Sequence, residues 1–291
     1  MIWLLLAFGA YLLSLFGVAW FSLHPIRTPI YLSPGGFGLP QEDVEFASAD
    51  GTLLRGWWVG VEGCQTVFVM SHGYLMNRCE LAPLATYMAQ FGCSSLLYDF
   101  RAHGKSGGKK SGLGWTERAD VAAAATFARS RAPKARVVLL GSSMGSAASA
   151  FALAEDPALA DALILDSAYS RLPQAISGWW RFLGGRVLSF FLTPSVVLAA
   201  PLAGFNPFRP DVAKALSAIK APVLILHGDR DNLATVAEAN RNEAACGGET
   251  TVVWFEKCGH SEGRWLQPEK YNEAVREFMR RVEGRGVEGR G

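Results

Sequence analysis

The chain has 291 residues, of which 50% are apolar, 19% charged and 11% aromatic. That is too apolar and too weakly charged for a disordered chain, and long enough for one large domain or two small ones. Net charge is +2 and local in origin: residues 276–291 hold five Arg against three Glu, and the rest balances at 23 basic and 23 acidic residues, so nothing argues for a nucleic-acid partner.

The first element is Ile2–Leu23, which has no charged residue. As a helix it would be about 33 Å long, matching the ~30 Å hydrocarbon core of a bilayer, with Trp3 and Trp20 available for the two interfaces. A signal peptide is the rival reading, but no Lys or Arg precedes the run and no clear A-x-A site follows it. A soluble core helix would show a polar face, and here only Ser14, Ser22 and glycines interrupt the apolar surface. Residues 1–24 are therefore expected to be a single-pass membrane anchor. Residues 25–43, rich in proline and glycine, read as a linker.

From Val44 onward, apolar β-branched runs alternate with helical patterns. Strands are predicted at Val44–Ser48, Thr52–Val59, Thr66–Ser71, Ser94–Tyr98, Arg136–Leu140, Ala162–Asp166, Pro222–His227 and Thr250–Phe255. Helices are predicted at about Cys79–Phe91, Thr116–Arg131, Met144–Glu155, Leu233–Ala245 and Pro268–Val282. In the last, Tyr271, Ala274, Val275, Phe278 and Val282 share one face. This alternation predicts an α/β fold with a mainly parallel sheet over residues 44–282. Ala168–Ile219 is too long for a connection and is rich in aromatic residues. Pro194 and Pro201 break its uncharged run, Val187–Phe208, and the flanking strands must join one sheet, so the segment is expected to be a cap rather than a second membrane span. Residues 283–291 lie in a twice-repeated VEGRG and are expected to be a flexible tail.

The candidate chemistry begins at Gly141-Ser142-Ser143-Met144-Gly145, a G-x-S-x-G between a strand and a helix. A turn this sharp holds the Ser143 hydroxyl above the sheet, with helix N–H groups where negative charge would develop. A serine needs a base. Among the five histidines, His260 sits on a loop just after the last strand and is the candidate. Asp229 and Asp231 end the preceding strand, and Asp166 is a third possible acid. The order Ser, Asp, His fits this elbow type. The five cysteines (Cys64, Cys79, Cys93, Cys246, Cys258) form no C-x-x-C pair, and no metal-ligand spacing appears, so no cofactor, zinc site or disulfide framework is expected.

With these motifs, residues 44–282 resemble the α/β-hydrolase superfamily. They look most like compact membrane-anchored bacterial hydrolases related to α/β-hydrolase-domain proteins, and more distantly like prolyl-oligopeptidase-type peptidases. The resemblance implies an eight-stranded α/β-hydrolase sheet with a small apolar cap between strands 6 and 7. It maps H-G-x-x-D onto His227-Gly228-Asp229-Arg230-Asp231, selecting Asp231 as the acid with Ser143 and His260. It also maps the family's H-G onto His72-Gly73, which makes the backbone N–H groups of Tyr74 and Met144 the oxyanion hole. His72 itself is then a brace for the loop. The segment Asp99–Ser106 resembles D-x-R-G-x-G-x-S, with Ala102 in place of the usual glycine, and is read as loop structure. The expected activity is serine hydrolysis of an ester or thioester with a small acyl or lipid-like group. A serine peptidase and a non-catalytic membrane-tethered module are the alternatives.

Overall fold

The computed structural model describes residues 1–288, with side chains to residue 284. Eight strands form one sheet: β1 (Glu42–Ala47), β2 (Leu53–Val59), β3 (Thr66–Ser71), β4 (Ser94–Tyr98), β5 (Arg136–Ser142), β6 (Ala162–Asp166), β7 (Val223–Gly228) and β8 (Thr250–Phe255). Their order is β1-β2-β4-β3-β5-β6-β7-β8. β2 is antiparallel to both β1 and β4, and every other pair is parallel. The expected eight-stranded, mainly parallel sheet is what the chain forms.

The central strands are apolar on both faces because each face carries its own core. In β5, Val137 and Leu139 point into one cluster and Val138 and Leu140 into the other, as the two-residue strand period requires. The first cluster is closed by α3 (Arg118–Arg131), α4 (Met144–Glu155) and α7 (Val212–Ala218). The second is closed by α2 (Ala82–Ala89) and α10 (Pro268–Glu288). The five residues expected on the α10 face are all buried. α10 continues past the expected end at Val282 to Glu288, so the start of the supposed tail is helical; residues 289–291 lie outside the described residues.

Between β6 and β7 lie α5 (Leu172–Leu192), α6 (Ser195–Ala203) and α7. α5 is kinked at Gly184–Gly185, where Gly185 has φ 73°. α7 contributes Val212 and Leu216 to the main core, so only α5 and α6 stand out as the cap. The N-terminal helix α1 (Ile2–Leu23) buries Leu15, Ala19 and Leu23 against α6 and leaves most of its apolar surface exposed. After it the chain is fastened to the body: Arg27 donates hydrogen bonds to the carbonyls of His103, Gly104, Ser106 and Gly108, and Asn77 donates to those of Thr28 and Pro29. The remaining helices are α8 (Val236–Ala245) and the short α9 (Gly263–Leu266).

Candidate active site

The turn from β5 into α4 forces Ser143 to φ 49° and ψ −109°, a conformation that a β-carbon resists and that surrounding structure must impose. Two close approaches impose it. A Cβ on Gly145 would lie 2.2 Å from the Ser71 carbonyl oxygen, and one on Gly141 would lie 2.3 Å from the Gly145 backbone. Strand β3 and helix α4 therefore crowd the turn, and the Ser143 hydroxyl projects from it.

The hydroxyl meets His260, whose Nε2 is 2.8 Å from Ser143 Oγ. On the other side of the ring, Nδ1 is 2.7 Å from Asp231 Oδ2. The His260 loop can come this close because Gly228 has no side chain: a Cβ there would stand 2.4 Å from the Cys258 carbonyl oxygen. Asp231 is buried, and its Oδ1 accepts from the N–H groups of Leu233 and Ala234 at 2.8 and 2.9 Å. Those two bonds also explain why α8 starts at Val236 rather than near Leu233. The first N–H groups are committed to Asp231, and Thr235 with Glu238 then forms a capping box.

The rival acids lie elsewhere. Asp229 is exposed, and Asp166 is bound to Arg264 at 2.8 Å and accepts from the Tyr271 hydroxyl at 3.1 Å. His227 donates from Nε2 to the Ala234 carbonyl, and burial holds its pKa below the usual range despite Asp231 3.7 Å away. It is thus neutral, and the Asp231 charge is left for His260. Cys258 is buried, with its thiol directed at the Glu256 carbonyl and its pKa raised by burial, as befits a packing residue.

Beside Ser143 lie the two residues whose backbone N–H groups are the expected donors. Met144 is the first residue of α4, whose N–H has no intrahelical acceptor. Tyr74 follows Gly73, where an added Cβ would lie 3.6 Å from the Ser143 Cβ. His72 braces this loop: Nδ1 bonds the Gly73 carbonyl at 2.7 Å and Nε2 accepts from the Phe100 N–H at 3.0 Å. Burial pushes its pKa down to about 4, so the ring is neutral, as this tautomer demands. The Tyr74 hydroxyl is turned away, donating to the Ser22 carbonyl at 3.0 Å, while its ring packs on Trp179. Asp99 accepts from the N–H groups of Arg78 and Lys105 and so braces the 99–106 loop; Ala102 sits there at φ 62°.

Sequence reasoning missed the layer beneath. Glu80 accepts from the Gly73 N–H at 2.6 Å through Oε2, and through Oε1 from the Ser142 hydroxyl at 2.9 Å and from Arg264. Arg264 also reaches Ser142 and Asp166. Burial works to raise the Glu80 pKa, but Arg264 and the Gly73 N–H outweigh it and hold the carboxyl below its ordinary value. The carboxylate thus ties the loop before Tyr74 to the residue before Ser143. No local pattern announces it, since Glu80 and Arg264 are 184 residues apart.

Above this layer opens a cavity of about 960 Å³, walled by Ile176 and Trp179 of the cap, Leu233, Trp265 and, from α1, Val18 and Phe21.

The sheet order, the strained serine turn and the hydrogen-bonded Ser143, His260 and Asp231 array are those of the α/β-hydrolase fold, which the chain adopts. The family model for serine aminopeptidases of type S33 matches residues 64–201. An uncharacterised protein of Mycobacterium tuberculosis, Rv2307c, is 25% identical over 261 residues, 89% of this chain and 84% of the relative. The Pyrococcus furiosus esterase Pf2001 superimposes with a TM-score of 0.73 at 25% identity, covering 89% of this chain and 98% of that one. A membrane phospholipase A described as a bacterial virulence factor shares the fold at a TM-score of 0.60 and 19% identity, with 97% of this chain and 99% of that one covered.

Proposed function

We propose that the protein is a membrane-anchored serine hydrolase that cleaves the ester or thioester of an acyl or lipid-like substrate, a carboxylesterase, lipase or thioesterase in type. The observation that carries this reading is the hydrogen-bonded chain Asp231–His260–Ser143 at the floor of an apolar cavity. His260, oriented by Asp231, takes the Ser143 proton as Oγ attacks the carbonyl carbon. The oxyanion is met by the N–H groups of Tyr74 and Met144, where losing one donor typically costs ~10²–10³ in rate. His260 then protonates the leaving group, and water repeats the cycle to release the acid. The Pf2001 esterase and, for the lipid-like group and the membrane, the phospholipase A support this reading. So does α1, which is long and apolar enough to cross a bilayer.

An aminopeptidase would need a free anionic group for the substrate's ammonium. Of the carboxylates lining the cavity, Glu80 is taken up by Gly73, Ser142 and Arg264, which leaves for that role only Glu262, exposed at the rim and held by the Gly259 N–H through one oxygen at 2.6 Å. The test is fluorophosphonate labelling of wild type against Ser143→Ala and His260→Ala in detergent. It is followed by p-nitrophenyl esters of rising chain length beside aminoacyl arylamides. Label lost in the Ser143 variant with ester cleavage is expected. Folded wild type that takes no label, or cleaves only arylamides, would overturn the proposal.

A further inference from the structure

The N-terminal helix is built into the enzyme as well as leading to it. Toward its middle, the Tyr11 hydroxyl donates to the Phe191 carbonyl at 2.7 Å, and the two rings meet edge to face with centroids 6.4 Å apart. The end of α5 therefore lies level with Tyr11. From Tyr11 to Leu23 the helix rises about 18 Å, slightly more than the ~15 Å of one hydrocarbon leaflet. A bilayer around α1 must then also surround the end of α5.

The surface there suits hydrocarbon. Val187, Phe190 and Val197 are 71%, 75% and 60% exposed, and no charged residue occurs between Arg186 and Arg209. α5 and α6 meet at an 82° elbow, and α6 runs back along α1 to pack on Ala19 and Leu23, so this bent hairpin enters and leaves by one side. The cavity opens at the interface end of the same two elements. Phe21 of α1 and Phe182 of α5 both line it while remaining 70% and 60% exposed, so they mark its mouth between the two elements.

The geometry points to a lateral portal: α1 and the α5–α6 hairpin dip together into one leaflet, and the channel between them draws the acyl chain of a bilayer lipid out of that leaflet, at its interface, to Ser143. This rests on the reading of α1 as a membrane span and of Ser143 as the nucleophile, and it makes α1 a wall of the substrate site.

Two experiments on the full chain decide it. Wild type in phosphatidylcholine vesicles carrying a trace of phosphatidylcholine with a diazirine in its acyl chain is irradiated, and adducts are mapped by mass spectrometry. Adducts on residues 187–198 as well as on α1 are expected. Adducts on α1 alone, or a hairpin crosslinked only to a second copy, overturn the portal and leave the anchor. Adducts on neither overturn the anchor and the portal together. In the second, Val18→Trp narrows the channel wall and should lower the ratio of kcat/KM for p-nitrophenyl palmitate to that for the butyrate at least ~10-fold in protein that still takes fluorophosphonate at Ser143. An unchanged ratio in labelled protein overturns the portal. Should Val18→Trp fail to fold, Phe182→Asp on the exposed rim replaces it, with the same two outcomes.

Discussion

Glu80→Gln isolates the layer beneath the serine, because it keeps the shape of the side chain and changes only what each oxygen can do. All three partners of Glu80 are donors: Ser142 and Arg264 at Oε1, and the Gly73 N–H at Oε2. A glutamine has one accepting oxygen and one donating nitrogen, so one side must fail. The oxygen will take the side with two donors, one of them a cation, and the NH₂ will then face the Gly73 N–H. The loss is one charge-assisted hydrogen bond, worth ~1.5–3 kcal/mol, plus part of the Arg264 attraction, since Asp166 at 2.8 Å remains. A net loss of about 3 kcal/mol is expected, lowering the thermal midpoint by roughly 5–10 °C. With its tether repelled, the loop before Tyr74 shifts, and misplacement of an oxyanion donor by ~1 Å should reduce kcat by up to ~10²-fold with little change in KM. Thermal unfolding and steady-state kinetics on a short ester measure both. A variant with the lowered midpoint but wild-type kcat would refute the positioning role and leave Glu80 a purely structural residue.

Asp231→Asn should cost ~10⁴ in kcat without loss of fold: the amide oxygen must stay on the Leu233 and Ala234 N–H groups, so its NH₂ faces His260 Nδ1 and leaves a proton on Nε2, where it cannot accept one from Ser143. Steady-state rates check this, and a loss under ~10-fold would refute it. Ala102→Gly should raise stability by about 1 kcal/mol, because Ala102 is held at φ 62° at a real steric cost; a fall in the denaturant midpoint would contradict that strain. Burial holds His72 near pKa about 4 against ~6.5 in the unfolded chain. Between those values the unfolded chain binds the extra proton, so this group's stability is fully present above pH ~6.5 and is lost as pH falls to about 4, for roughly 3 kcal/mol. NMR titration of the His72 ring should show a midpoint near 4; titration above 6 would refute the buried neutral ring.

What could be read in the sequence is what depends on neighbours along the chain. The central strands β3 to β7 appear where two-sided apolar runs stand, because a strand buried on both faces leaves that signature in five to seven consecutive residues. Ser143, Asp231 and His260 were legible because each lies at a strand end within a short motif whose glycines have an identifiable steric task. Element ends were less legible where a distant side chain captures a backbone group. α2 begins at Ala82 rather than Cys79 because Asp99 holds the Arg78 N–H and Asn77 holds that of Cys79, turning the chain before the helix can start. Glu80 lies in that same turn, so the residues that delay α2 also deliver the carboxylate to Gly73. The N-terminal helix shows the same limit on a larger scale. Its hydrophobicity is plain in the sequence, but its contact with Phe191 spans 180 residues and follows only from how the cap returns over the sheet. An apolar run gives its affinity for hydrocarbon; its depth relative to the nucleophile is set by the fold. That depth is what links the proposed anchor to the substrate cavity.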